Sequence, residues 1–205
     1  MKNRILAISF SFLIVSTAFS QDNNNKQEIK IKDVTASLDQ APRYAMSGQQ
    51  PQADQSKKWL VIEAILDSEP EWADEVTLKF YVAAQYFKEK DRFDILATTV
   101  TVVNVPKNPG GGKKNIVPVF LDPNSVKKYG GSGTQFVLQI AVQVYYKGRL
   151  QDTFWMTPLN KGKSFWESTP PRGGVLLNLM QSPWSPAFID YYEQVKPASA
   201  VPAAY

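Results

Sequence analysis

The sequence predicts an all-β protein, an immunoglobulin-like antiparallel β-sandwich of about seven strands with a short C-terminal helix. Apolar and polar residues alternate with period two along most of the chain, the pattern of strands buried on one face. Turn-forming residues interrupt this alternation roughly every fifteen to twenty residues, and hairpin and edge signals accompany the turns. No repeat of fixed period is present, so a solenoid or propeller is not favoured. A β-barrel is the alternative architecture.

Segments with the strand pattern follow one another along the chain, each bounded by turn-forming residues. They are residues 28–34, 59–66, 76–84, 93–105, 115–121, 134–146 and 149–156. Lys147 and Gly148 separate the last two segments, which predicts a tight hairpin turn with glycine at a positive φ. Pro118 has no N–H to donate to a neighbouring strand, so we expect its segment, residues 115–121, at a sheet edge.

Two segments outside the strands are predicted to be helical. Residues 123–129 form one short helical stretch, which Gly130 ends. Ser185 and Pro186 are typical of a helix start, with serine as the cap and proline in the first turn. Pro197 ends this second helix, whose apolar residues share one face at helical spacing: Phe188, Ile189, Tyr192 and Val195. We expect it to pack against the sandwich.

The N-terminal 20 residues have the three parts of an export signal. Residues 1–4 are cationic and residues 5–15 are an apolar core. Ala18 and Ser20 place small side chains at the two positions that a signal peptidase reads. The apolar core is too short to span a hydrocarbon layer of about 30 Å as a lasting anchor. We therefore expect cleavage after Ser20 and an exported protein that is periplasmic, outer-membrane-associated or at the cell surface.

Cleavage leaves a chain that we expect to form a single domain. Residues 21–27 are a polar lead-in that we expect to be disordered, and residues 28–196 hold the sandwich with its C-terminal helical segment. Residues 197–205 are a tail that we also expect to be disordered. No later stretch reaches the eighteen or so apolar residues of a membrane-spanning helix. The mature form is therefore expected not to span a membrane.

Composition excludes several classes of chemistry. Cysteine and histidine are both absent, which removes disulfides, thiolate and histidine metal sites, thiol nucleophiles and Ser-His-Asp catalysis. The formal net charge is +4, from 23 basic and 19 acidic residues. The lysines are scattered through turn-like sequence and form no basic stripe, so a nucleic-acid partner is not expected. We expect a protein that is not an enzyme and holds neither cofactor nor metal.

Three further motifs have ordinary structural interpretations. The glycine-rich stretch 109–114 lacks the spacing of a phosphate-binding loop and precedes a strand. Five carboxylates at 67–75 could hold Ca²⁺, but Pro70 and Trp72 interrupt them, so a solvated loop is favoured and calcium binding is left open. Glu63 interrupts an apolar strand, and we expect it to pair with Lys79 on the next strand.

Aromatic residues supply a candidate contact site. Tyr81, Tyr145 and Trp155 fall on outward positions of their strands, where they could contact a protein partner or stack against a glycan. The alternative interpretation is that the C-terminal segment covers them. In that case Trp166 and Trp184 complete a second small core.

Two segments resemble a known group of proteins. Residues 121–130 (LDPNSVKKYG) and 176–193 (LLNLMQSPWSPAFIDYYE), together with the leader and strand order, are similar to small exported immunoglobulin-like proteins of the Verrucomicrobia and Akkermansia type. Members of that group are associated with gene clusters for type IV pilus-like machinery. The resemblance implies an envelope protein in pilus assembly or surface display, with envelope or pilus-assembly proteins as partners. It transfers no site residue.

The sequence thus favours a non-enzymatic, exported envelope protein that acts by protein–protein contact. Strand addition at an exposed edge is a suitable mode of contact, and residues 115–121 are the expected edge. A carbohydrate-binding module that uses Tyr81, Tyr145 or Trp155 is the alternative. A hydrolase that uses carboxylates alone is the third hypothesis.

Overall fold

The structure of the protein, a computed structural model, consists mainly of β-strands. It describes residues 26–42, 57–89, 91–107, 114–130, 138–156, 164–167, 169–185 and 196. The strands are β1 (Ile29–Gln40), β2 (Lys58–Ser68), β3 (Trp72–Gln85), β4 (Phe93–Pro106), β5 (Asn115–Leu121), β6 (Leu138–Tyr146), β7 (Arg149–Met156) and β8 (Leu176–Asn178). Helix α1 spans Pro123–Gly130, and short 3₁₀-helices span Phe165–Glu167 and Leu179–Gln181.

The strands form two four-stranded sheets that pack as a sandwich. The first sheet has the order β1-β2-β5-β8 and the second has the order β4-β3-β6-β7. All pairs of neighbouring strands are antiparallel. If β1 to β7 are read as strands A, B, C, C′, E, F and G, the sheets hold A-B-E and C′-C-F-G, and β8 takes the place beside E that strand D has in immunoglobulin constant domains. The predicted immunoglobulin-like sandwich is confirmed, with eight strands in the described part of the chain.

The core between the sheets follows the predicted alternation. In β3, Val76, Leu78, Phe80 and Val82 are fully buried, and the intervening residues face outward. Because β6 pairs with β3 in register, alternate residues of β6, such as Ile140 and Val142, enter the same core. Period-two alternation therefore decides which side chains remain on the outer face of the second sheet.

The β6–β7 hairpin closes with the predicted two-residue turn. Lys147 has φ 51° and Gly148 has φ 72°, so both residues have the left-handed conformation of a type I′ turn, whose twist matches that of the flanking strands. Nothing lies within 4 Å of the position that a Cβ would take at Gly148. The requirement for glycine is therefore conformational and not steric.

We expect Gly148→Ala to lower the free energy of unfolding by about 1 kcal/mol, because a Cβ disfavours the left-handed region. Urea denaturation at fixed pH measures the difference. Gly173→Ala is the matched control, since Gly173 has equally open surroundings and no positive φ. Equal losses in the two variants would contradict the conformational explanation.

Helix α1 begins at an aspartate cap. The Asp122 carboxylate accepts hydrogen bonds from the backbone N–H of Asn124 (2.9 Å) and Ser125 (3.3 Å), which satisfies two N–H groups that a helix start leaves unpaired. Val126 and Tyr129 are buried against the sandwich. The short helix predicted for residues 123–129 is confirmed.

The C-terminal part of the described chain joins the main core. Trp184 is stacked on Phe120 with ring centroids 4.9 Å apart, and it meets Trp59 edge to face at 5.5 Å. The expected second core with Trp166 therefore does not include Trp184. The predicted C-terminal helix falls on residues 186–195, which lie outside the described residues, as do residues 1–25 and 197–205.

Two expectations about strand neighbours are wrong. Strand β5 is not a sheet edge, because β8 pairs with Val119, Phe120 and Leu121 on the side opposite β2. Pro118 stands where the β8 pairing ends. Glu63 does not pair with Lys79, because the chain changes sheets between β2 and β3.

Candidate functional site

The outer face of the second sheet carries all three aromatic residues that the sequence singled out. Tyr81 on β3 and Trp155 on β7 both stand in register with Ala141 of the strand between them. Tyr145 lies four residues further along β6, on the same face. All three side chains are partly buried. Alternation thus brings them to one surface, and their role as contact residues stays a prediction.

Tyr81 is covered by the chain itself. Trp166 stacks on its ring, with centroids 5.4 Å apart and planes at 20°. The neighbouring Phe165 is buried in a small cluster with Ile95 and Ala141. Burial is the main reason that the pKa of the Tyr81 hydroxyl is raised above its ordinary value. The part of the alternative interpretation that concerns Trp166 is therefore correct, because Trp166 and Phe165 form a second small core over this face.

Tyr145 and Trp155 are also held by neighbouring groups. The Lys79 ammonium lies 4.8 Å from the centre of the Tyr145 ring, and the Tyr145 hydroxyl donates to Gln143 Oε1 at 3.0 Å. Trp155 Nε1 donates to the Thr153 carbonyl at 3.1 Å. A depression of about 410 Å³ lies over Thr77, Lys79 and Tyr145. These contacts fix the orientation of both rings.

The edges of the second sheet are covered in different ways. At β4, the Arg172 backbone exchanges hydrogen bonds with Ile95 (2.7 Å) and Ala97 (3.1 Å), and the Lys196 N–H donates to the Thr101 carbonyl at 2.9 Å. At β7, side chains reach across to the first sheet. Asp152 Oδ2 accepts the Ile31 N–H of β1 at 3.0 Å. Inward charges and local coverage of this kind protect sheet edges from unwanted pairing.

A polar cluster around Asp94 joins segments that are distant in the sequence. Asp94 Oδ2 accepts hydrogen bonds from the hydroxyls of Tyr129 (2.7 Å) and Tyr86 (2.8 Å), from Arg172 (2.8 Å) and from Lys128 (3.2 Å). The Arg92 guanidinium lies over the Tyr86 ring at 4.4 Å. The cluster therefore holds the end of β3, the start of β4, helix α1 and the C-terminal segment together.

The same hydrogen bonds control ionisation in the cluster. Burial opposes the charge of Asp94, but the donors, led by Tyr129, outweigh it and lower the pKa of Asp94 to about 2. Burial is the largest reason that the pKa of Tyr129 is raised to about 12. Sequence reasoning missed this cluster because its members come from four segments and share no motif.

The described residues offer no metal site. No group of three or more metal-binding side chains converges in the part of the chain that the structure describes. In the acidic stretch 67–75, Glu69 pairs with Lys107 at 3.8 Å and Glu75 pairs with Lys196 at 2.7 Å.

None of the helices among the described residues has the length and apolar composition needed to cross a bilayer.

These features define a small immunoglobulin-like sandwich. Its candidate contact surfaces are the sheet edges and the aromatic outer face of the second sheet. A family model matches residues 20–199, and the chain belongs to that family. A crystal structure of a protein from Akkermansia muciniphila is similar, with a TM-score of 0.65 and 24% sequence identity over 84% of this chain and 94% of that chain. At this identity the structural likeness shows a shared fold. No curated protein matches the sequence.

The structural match confirms the sandwich fold that the resemblance in residues 121–130 and 176–193 implies, and it shows that a protein from Akkermansia muciniphila shares this fold. The pilus association and the export that the resemblance implies stay predictions.

Proposed function

We propose that the protein is a non-enzymatic, exported envelope protein that acts by protein–protein contact, in pilus-like assembly or in surface display. The observation that carries this proposal is the edge of β1, where an extended segment of a partner can add to the first sheet. Family membership and the immunoglobulin-like layout support it. The docking edge is thus β1 and not β5, which the sequence had favoured.

Hydrogen bonds define which groups of β1 face outward. The N–H of Ile31 is taken by Asp152, and the N–H of Val34 is taken by the carboxylate of Asp33 at 2.9 Å. Neither group therefore points toward β2. Because N–H and C=O groups alternate sides along an antiparallel strand, Ala36 and Leu38 direct their backbone groups outward in the same way.

The second half of β1 combines outward backbone groups with accessible side chains. Ala36 and its neighbours Thr35 and Ser37 are exposed, and in the described part of the chain β1 has β2 as its single strand neighbour. A long, exposed edge of this kind is a template for strand addition. In the first half of β1, Asp152 accepts the N–H of Ile31, so a partner strand cannot pair there. The docking surface therefore begins at Val34.

The proposal predicts that Ala36→Pro abolishes partner recovery. Proline removes the outward N–H at residue 36 and leaves the pairing with β2 intact. The measurement is a cross-linked pull-down from envelope extract of the source organism, with the exported form as bait and mass spectrometry as readout. We expect wild type to recover pilus or secretion subunits reproducibly.

Ala36→Val is the matched control, because valine keeps the N–H and suits a strand. It is expected to recover the same subunits as wild type. Recovery of no envelope protein by wild type would overturn the proposal. Equal recovery by the proline and valine variants would exclude the β1 edge as the contact.

Carbohydrate binding is the second candidate function. It is favoured by one observation, the depression of about 410 Å³ beside Tyr145 on the face that also carries Trp155. The stacking of Trp166 on Tyr81 and the position of Lys79 over Tyr145 weigh against an open sugar platform. A shift of tryptophan fluorescence on titration with oligosaccharide, lost in Trp155→Ala, would favour this function.

A further inference from the structure

A second surface, separate from the β1 edge, lies at the end of the sandwich beside the β6–β7 turn. There a cavity of about 520 Å³ opens between the hairpin and the residues that precede β1. Its size falls within the range of roughly 300–1,000 Å³ that is typical of ligand sites. Its charged lining consists of Lys26, Glu28, Lys147 and Arg149.

The charge of this cavity is unbalanced. The single carboxylate, Glu28, pairs with Lys147 at 3.1 Å and raises the pKa of that lysine above its ordinary value. In the described part of the chain, neither Lys26 nor Arg149 lies within 4.0 Å of a carboxylate, whereas other cations of the surface do have carboxylate partners. A concave surface with an excess of one charge attracts ligands of the opposite sign.

The walls of the cavity are fixed before any ligand arrives. The Glu28 N–H donates to Gln151 Oε1 at 2.9 Å, and the Glu28 carbonyl accepts the Glu69 N–H at 2.8 Å. The turn at Lys147 and Gly148 holds the opposite wall. The backbone of the walls is therefore ordered, and the ordering cost on binding falls on the exposed side chains of Lys26 and Arg149.

We infer that this cavity binds an acidic peptide segment of a partner protein. Arg149 supplies a planar guanidinium that suits carboxylates, and Lys26 adds a second charge that has no carboxylate partner among the described residues. Leu150, beside Arg149, is 50% exposed, so apolar side chains can pack next to the charges. A peptide that carries carboxylates and apolar groups in alternation satisfies both features. The partner class rests on the proposed function, but the site does not involve β1 residues 34–40.

Binding of a fluorescein-labelled octapeptide of alternating glutamate and leucine, read by fluorescence anisotropy, tests the inference. Wild type is expected to bind this peptide, with affinity that falls as salt rises. Arg149→Gln is expected to weaken binding by about tenfold, because charge-assisted hydrogen bonds are the strong ones. Combining it with Lys26→Gln is expected to abolish binding.

Lys127→Gln is the matched control, because it removes the same charge from an exposed lysine on α1. It is expected to bind the peptide as wild type does, and a glutamine–leucine octapeptide is expected not to bind. Equal weakening by Lys127→Gln and Arg149→Gln would overturn the inference, since net charge alone would then explain binding. Arg149-dependent binding of dextran sulfate with no binding of the acidic peptide would overturn the partner class.

The pull-down separates this inference from the proposed function. If Arg149→Gln loses subunits that wild type recovers, the cavity contributes to the contact. If wild type and Arg149→Gln recover the same subunits in the same amounts, the inference fails and the proposed function stands.

Discussion

Replacement of Phe120 by alanine is expected to lower the free energy of unfolding by about 3–5 kcal/mol, the largest loss that we predict. Phe120 is fully buried in β5 and stacks on Trp184 at 4.9 Å. The substitution leaves a cavity where β5, β8 and the C-terminal segment meet, and it removes an aromatic contact. Denaturation in urea, followed by far-UV circular dichroism, measures the loss.

Phe87→Ala is the matched control, because Phe87 is 54% exposed. Its replacement is expected to change the free energy of unfolding by less than about 0.5 kcal/mol. A loss below about 1 kcal/mol in Phe120→Ala would contradict the packing of the C-terminal segment on β5. Tryptophan emission should also move to longer wavelength in Phe120→Ala, since Trp184 loses its cover.

Asp94→Asn is expected to lower the free energy of unfolding by about 2 kcal/mol at neutral pH. The pKa of Asp94 is about 2, against an ordinary value of 3.8, and each unit corresponds to about 1.4 kcal/mol of differential stabilisation. Lys128 and Arg172 are 38% and 53% exposed, so water partly replaces the lost carboxylate. The larger cost of stripping a fully buried ion pair is therefore not expected.

The effect of Asp94 depends on pH in a defined direction. Since the pKa is lower in the folded state, the stabilisation is fully present above about pH 4 and is lost as pH falls toward about 2. The difference in unfolding free energy between wild type and Asp94→Asn should shrink over that interval. Asp91→Asn, at an exposed position in the turn that precedes β4, is the control. A difference that does not change with pH would contradict the ionised cluster.

The strands could be predicted from the sequence wherever one face is buried. Alternation in β3 and β6 follows the core, and the bounds of β5 and β7 agree with prediction. Strand β1 was expected to end at Val34 but continues to Gln40. Its last residues lie at a sheet edge and are mostly exposed, so they show no alternation. Pairing with β2, and not the local pattern, makes them a strand.

Contacts between segments that are distant in the sequence could not be predicted from local sequence. Pro118 correctly indicated a missing hydrogen-bond donor, but β8 pairs with the residues that follow it. The donors to Asp94 lie as many as 78 residues away along the chain. Nothing in the sequence around either partner signals such a contact. The outward position of Tyr81 was predicted. The stacking of Trp166 on the Tyr81 ring could not be, because it depends on where the 3₁₀-helix Phe165–Glu167 crosses the sheet.

The two covered edges of the second sheet have a mechanical consequence. Residue 31, near the start of the described chain, is bonded to β7, and residue 196, near its end, is bonded to β4. Strands β7 and β4 are the opposite edges of one sheet, about 14 Å apart across three interstrand spacings. Tension applied between these two points would act on the hydrogen-bond ladders of that sheet through one hydrogen bond at each edge, and it would also act on the β1–β2 ladder of the first sheet, because residue 31 belongs to β1.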